Sequence, residues 1–251
     1  MAPAAALALA FLGGLIAGSA VTAIAHRVPR GLSLAGPRSA CPACGAQISA
    51  RDNLPVVSWL LLHGRARCCG EPIPARYPLA ELGLGVVFVA TVAVHWGAGA
   101  EIALDLVFAT MLAAVTLTDL DQRIIPTRIL LGGAAVGLAI VGVSDPASIG
   151  ERAIAAAAAG GLLFLAALAY PAGMGLGDVK LAAVMGLYLG RSVAPAIFVA
   201  LLAGSLVGIA LIVRHGAARG RKMAIPFGPF LALGGVVAML AGPQLIDLYL
   251  G

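Results

Sequence analysis

Two acidic stretches carry the chemistry this sequence can do. Gly175-Leu176-Gly177-Asp178 leads into Val179 and Lys180, and Asp119-Leu120-Asp121 lies earlier in the chain. Each sits where an apolar run meets a short polar loop. Two carboxylates brought together at a membrane surface form an acid/base pair. The glycines before Asp178 allow a tight turn and close helix approach. A carboxylate at a helix N-terminus is favoured by the helix dipole. A plainer reading of the same residues makes Asp178 a simple helix cap, with Lys180 extending to the interface. Asp119 and Asp121 are two apart, so on a helix they cannot face the same way. Asp119 directly follows the apolar run and is the inward candidate. Ile125-Pro126-Thr127 then opens the next helix.

Sulfur forms a third constellation. Cys41-Pro42-Ala43-Cys44-Gly45 has the spacing of a zinc-knuckle half-site. Its complement is Arg65-Ala66-Arg67-Cys68-Cys69-Gly70, where the cysteines are adjacent and both reach one ion only through a strained turn. His63 is an alternative ligand, and a loop that binds metal weakly or not at all is the plainer reading. The surrounding arginines point to a cytosolic, reducing setting, which favours metal over disulfides.

The elements that must position these groups are apolar helices. Of 251 residues, 61% are hydrophobic and 11% charged, against roughly a quarter charged in soluble domains, and the mean hydropathy is +1.03. The expected fold is an all-α polytopic membrane protein with about eight transmembrane helices. The net charge of +5 marks cytosolic loops rather than nucleic-acid binding. Spans are expected near 4–25, 79–96, 102–118, 129–143, 153–171, 179–190, 192–213 and 224–242. The first is read as a retained helix with its N-terminus outside. The run 179–190 is short, and rises only about 18 Å unless it begins earlier. Three parts follow: 1–25 as the first helix, 26–78 as a small cytosolic cysteine-containing domain between helices 1 and 2, and 79–251 as a seven-helix bundle. Thirteen of the sixteen Lys and Arg fall in loops 26–78, 119–128 and 214–222, in the numbers seven, two and four. That asymmetry puts Asp119 and Asp178 on the cytosolic face.

The chain resembles the bacterial prepilin peptidases, the GxGD-type aspartic proteases of the membrane, over nearly its whole length. Gly18-Ser19 with His26-Arg27-Val28-Pro29-Arg30-Gly31 resembles the family's exit from the first span. The cysteine loop, with Asn53-Leu54-Pro55, Ser58-Trp59 and Arg76-Tyr77-Pro78-Leu79-Ala80-Glu81, is similar to its cytosolic domain. Asp119 with Ile125-Pro126, Gly175-Leu176-Gly177-Asp178-Val179-Lys180-Leu181 and Pro226-Phe227-Gly228-Pro229 are similar to its catalytic core.

The resemblance implies Asp119 and Asp178 as the catalytic pair, with Gly175, Gly177, Lys180, Pro126, Gly228 and Pro229 as supporting motif residues. It implies removal of a short basic leader from type IV prepilins and type II secretion pseudopilins, at the cytosolic face of the bacterial inner membrane. No cofactor is implied for proteolysis. Zinc on Cys41, Cys44, Cys68 and Cys69, and S-adenosylmethionine for N-methylation of the new terminus, are implied for the cysteine domain. There the chain departs from the family's second CxxC, because Ala66 stands where a cysteine belongs. Substrate pilins and membrane lipids are the expected partners, without nucleic acid. The rivals are a proton- or cation-coupled transporter using the same aspartates, a non-enzymatic assembly protein, and a presenilin-like protease, against which the 26–78 loop argues.

Overall fold

In a computed structural model, residues 2–33, 36, 39–171, 173–216 and 225–250 are described. The helices are α1 (Ala4–Arg27), α2 (Val57–Leu61), α3 (Arg76–Val94), α4 (Gly99–Gln122), α5 (Thr127–Ser144), α6 (Ile149–Ala169), α7 (Leu176–Leu189), α8 (Val193–His215) and α9 (Gly228–Leu250). Among the described residues there is no strand, only two isolated antiparallel bridges, Ala40 to Gln47 and Arg65 to Pro72. The all-α polytopic class is therefore as expected. Of the expected basic loop 214–222, residues 217–222 lie outside the described residues.

The chain forms two compact units, Met1–Ile102 and Ala103–Gly251. Hydropathy grouped the helix after residue 79 with the later bundle, but α3 packs on α1 in the first unit. Glycines are the reason. A methyl on Gly14 would lie 2.6 Å from the Gly85 Cα, and one on Gly18 would lie 2.5 Å from the Glu81 Cα. An i, i+4 glycine pair thus brings two backbones into contact, the usual cohesion between helices in lipid.

In the second unit, pairs of facing residues fix the helix directions. Gly228 meets Asp119 and Gly235 meets Leu112, so α9 runs opposite to α4. Tyr188 stacks on Phe108 with centroids 4.7 Å apart, while Asp178 at the other end of α7 shares a cavity with Asp119, so α7 also opposes α4. Gly204 meets Phe227 and Gly242 meets Ser192, so α8 opposes α9. The chain therefore reverses between α7 and α8.

The reversal occurs at Gly190, whose φ of 55° suits glycine. Arg152 of α6 donates to the carbonyls of Leu187 and Tyr188, 3.1 and 2.5 Å away, and so satisfies the end of α7. Among the described residues, seven stretches are long and apolar enough to cross a membrane, against the eight or so expected. One of them, Leu176–His215, is 40 residues long and contains both α7 and α8. The reversal within it accounts for the difference in count. α7 starts at Leu176, earlier than the hydropathy boundary at 179, because Leu176, Gly177 and Asp178 join the helix.

Candidate active site and cysteine cluster

Asp119 lies in the last turn of α4 and is 6% exposed. The helix closes behind it: the Arg123 amide donates to the Asp119 carbonyl at 2.9 Å, with Arg123 at φ 54°. Asp119 Oδ2 accepts the Gly228 amide at 2.9 Å. A methyl on Gly228 would lie 2.7 Å from that same oxygen, so only glycine lets the amide approach. Pro229 follows as the second residue of α9, where a missing N–H costs nothing. Asp121 is exposed, as expected for the outward member of the pair.

Asp178 is 9% exposed and is the third residue of α7, not its cap. The cap is Gly175, whose amide donates to Asp178 Oδ2 at 3.2 Å. Gly177 faces the α4–α5 linker, where an added methyl would be 3.0 Å from the Ile125 Cβ. The two carboxylates line one cavity of about 270 Å³, with Arg123, Ile124, Ile125, Gly175 and Gly177 as the other walls.

Lys180 is exposed and outside the cavity; its Nζ donates to the Thr127 hydroxyl at 3.1 Å, tying α7 to the start of α5. Pro126 caps α5 at φ −66° and ψ 120°. Arg123 and Ile124 were not among the candidate site residues. The clue was available: they follow the helix that ends beside Asp119 and precede the Ile125-Pro126 motif.

The four cysteines form a separate cluster in the first unit. Two loops fold alike: the Cys41 amide donates to Ala46 and the Gly45 amide to Cys41, while the Ala66 amide donates to Glu71 and the Gly70 amide to Ala66. Gly45 and Gly70 hold matching φ values of 75° and 73°. Ala66 thus occupies the place of Cys41, and Cys68 that of Ala43. The adjacent pair still converges. Sγ separations are 3.7 Å for Cys41–Cys69, 3.3 Å for Cys44–Cys68 and 3.9 Å for Cys68–Cys69, and all four sulfurs lie within 4.8 Å of one another. Tetrahedral zinc with Zn–S near 2.3 Å needs sulfurs about 3.8 Å apart. The cluster could hold a metal ion, and the set Cys41, Cys44, Cys68 and Cys69 fits one without His63. The Cys44 and Ala43 backbone N–H groups draw the Cys41 thiol down to about 7. Its hydrogen bond with Cys44, followed by desolvation, pushes Cys68 up to about 12. Cys41 is thus the readiest thiolate, and Cys68 is one that a cation would have to deprotonate.

The profile of the bacterial peptidase A24 N-terminal domain matches residues 12–95, and that of the type IV leader peptidase family matches residues 106–213. A prepilin leader peptidase/N-methyltransferase of Bacillus subtilis (strain 168) is 35% identical over 97% of this chain and 98% of its own. Proteins of the same name are 35% identical in Aeromonas hydrophila, over 96% and 93% of the two chains, and 33% identical in Pseudomonas putida, over 98% and 94%. No solved structure matches the chain.

Proposed function

This chain belongs to the type IV leader peptidase family, and from that premise we propose that it is a membrane aspartic endopeptidase acting on prepilins and pseudopilins. The observation that carries the reading is the pair of buried carboxylates, one from α4 and one from α7, lining one small cavity. Asp119 and Asp178 are the catalytic residues in this reading. Two carboxylates held close share a proton and titrate as a unit. The ionised partner takes a proton from water as it attacks the scissile carbonyl, while the protonated partner donates to the carbonyl oxygen. The Gly228 and Gly175 amides each hold one carboxylate oxygen, leaving the other for chemistry. Gly177, Lys180, Pro126 and Pro229 are positioning residues in this scheme. They set where the two helix ends and the linker between α4 and α5 meet.

The chain is a multi-pass membrane protein, and we place its carboxylates at the cytosolic face of a bacterial plasma membrane, on the asymmetry of basic residues. There a prepilin's apolar helix stays in lipid while its leader remains in the cytosol. By analogy with its relatives' names, N-methylation of the new terminus, with S-adenosylmethionine as donor, is assigned to the cysteine-containing part. Zinc on the four sulfurs would hold the two loops together structurally, and no proteolytic step passes through it. Neither matched family nor the named relatives are transporters, so transport gains no support.

Co-expression with a prepilin tests the proposal. Asp119→Asn or Asp178→Asn should lower leader removal by about a hundred- to ten-thousand-fold, read from the substrate's mass, with helix content unchanged. Leader loss surviving in both variants rules out the pair. An added methyl in the wild-type product mass reports the second activity.

A further inference from the structure

The segment joining α1 to α3 is mostly polar, but residues 54–62, Leu-Pro-Val-Val-Ser-Trp-Leu-Leu-Leu, are apolar apart from Ser58. Leu54, Val57, Leu60 and Leu61 are 52%, 48%, 60% and 71% exposed. We propose that residues 54–62 form a wedge immersed in the acyl region of the leaflet in which α1 ends and α3 begins.

Depth is the first argument. The Val56 amide donates to Glu81 Oε2 at 2.7 Å, and Glu81 is a buried carboxylate packed against Gly18 of α1. Gly18 lies nine residues before Arg27, about 14 Å along the helix, inside the uncharged stretch 4–25. A backbone amide fixed at that level is within the membrane-spanning length of α1, not beyond its end.

Hydrogen bonding is the second. Immersed backbone must satisfy its donors internally. Val56 holds φ 60°, an unusual conformation for a β-branched residue, and in it gives its N–H to Glu81. The Leu54 amide donates to the Ser58 hydroxyl at 2.9 Å, and that hydroxyl donates to the Arg51 carbonyl at 2.9 Å. The amides of Ser58, Leu60, Leu62, His63 and Gly64 find carbonyls within the same turn. The Trp59 indole N–H donates to the Ile73 carbonyl at 2.9 Å.

Continuity is the third. Leu79 and Leu82, flanking Glu81 on α3, are 65% and 38% exposed, and Leu12 and Ile16 on α1 are 54% and 66% exposed. The wedge extends a surface that already meets lipid. Arg51 and Arg65, exposed at its two ends, suit the phosphate level.

The test is carbene labelling. The full chain is reconstituted in phosphatidylcholine/phosphatidylglycerol vesicles carrying a phospholipid with a diazirine on its acyl chain, and adducts are mapped by mass spectrometry. Adducts at Leu60 and Leu61 comparable to those at Leu12 and Ile16, with Gln47 unlabelled, are expected. Labelling of 54–62 at the level of Gln47 overturns the proposal, as does crosslinking of these residues to a second copy without lipid adducts. Glu81→Ala should reduce labelling of 54–62 several-fold while leaving Leu12 and Ile16 unchanged, which also shows that the helices remain inserted. Undiminished labelling in that variant overturns the role of Glu81 as the anchor.

Discussion

At the scale of single residues, the site depends on places where a side chain is absent. Gly228 admits Asp119 Oδ2 to its amide, and a methyl there would press to 2.7 Å from that oxygen. Gly228→Ala should therefore displace the carboxylate and lower cleavage by about tenfold to a hundredfold, with little change in thermal stability. Steady-state cleavage alongside a melting curve in detergent separates the two effects. The sulfur cluster makes a second residue-scale prediction. Cys68→Ser should lose bound zinc, and adding Ala66→Cys to that variant should restore it, because position 66 takes the place of Cys41 in the second loop. Both are read by metal analysis of purified protein. The pH dependence follows from Cys41, whose thiol is lowered from its ordinary 9.0 to about 7. A depressed acid stays ionised above its value and takes up a proton below it. Binding then displaces at least one proton per ion, so zinc affinity should fall at least about tenfold per unit as pH drops below 7. Competition with a chromophoric chelator measures it.

At the scale of elements, close approach and end-capping outweigh hydropathy. Replacing Gly14 or Gly18 by leucine should separate α1 from α3 and cost about 1–3 kcal/mol, the range for overpacked contacts, read from thermal unfolding in detergent. Arg152 is the corresponding point in the second unit. Losing its bonds to the Leu187 and Tyr188 carbonyls in Arg152→Ala should cost about 1–3 kcal/mol. Here the limits of the sequence are visible. The carboxylates, the glycines before Asp178 and the helical class were legible because each is a local pattern. Asp119 as the inward member followed from helix periodicity, which separates it from Asp121, together with its place directly after the apolar run. The partnership of α3 with α1 was not legible, since it rests on which glycine faces which backbone. The adjacent cysteines suggested a damaged knuckle, yet a side chain from the third position of the turn reaches the cluster as well as one from the first. Arg123 lines the cavity from a left-handed backbone; its position between Asp119 and Ile125-Pro126 was legible, its conformation was not.

At the scale of the whole molecule, the number of crossings decides which loops share a side. The reversal at Gly190 separates α7 from α8 within one 40-residue apolar stretch. Topology reporters inserted after Gly190 and after His215 should accordingly report opposite sides of the membrane. Reporters on the same side would mean that α8 does not cross, and would put the start of α9 on the wrong face for a cytosolic cleavage site.

The brevity of α7 has a further consequence. Its 14 residues rise about 21 Å, short of a hydrocarbon layer of about 30 Å. Beyond its C-terminal end, Arg191 and Glu151 form an exposed ion pair at 3.2 Å, which marks the aqueous boundary there. The deficit falls at the other end, so the carboxylates lie below the level at which neighbouring lipid would close over them. Hydrolysis then depends on how readily the bilayer lets a column of solvent reach that depth. Vesicles of shorter-chain lipid should raise turnover without altering the protein, and thicker ones should starve it.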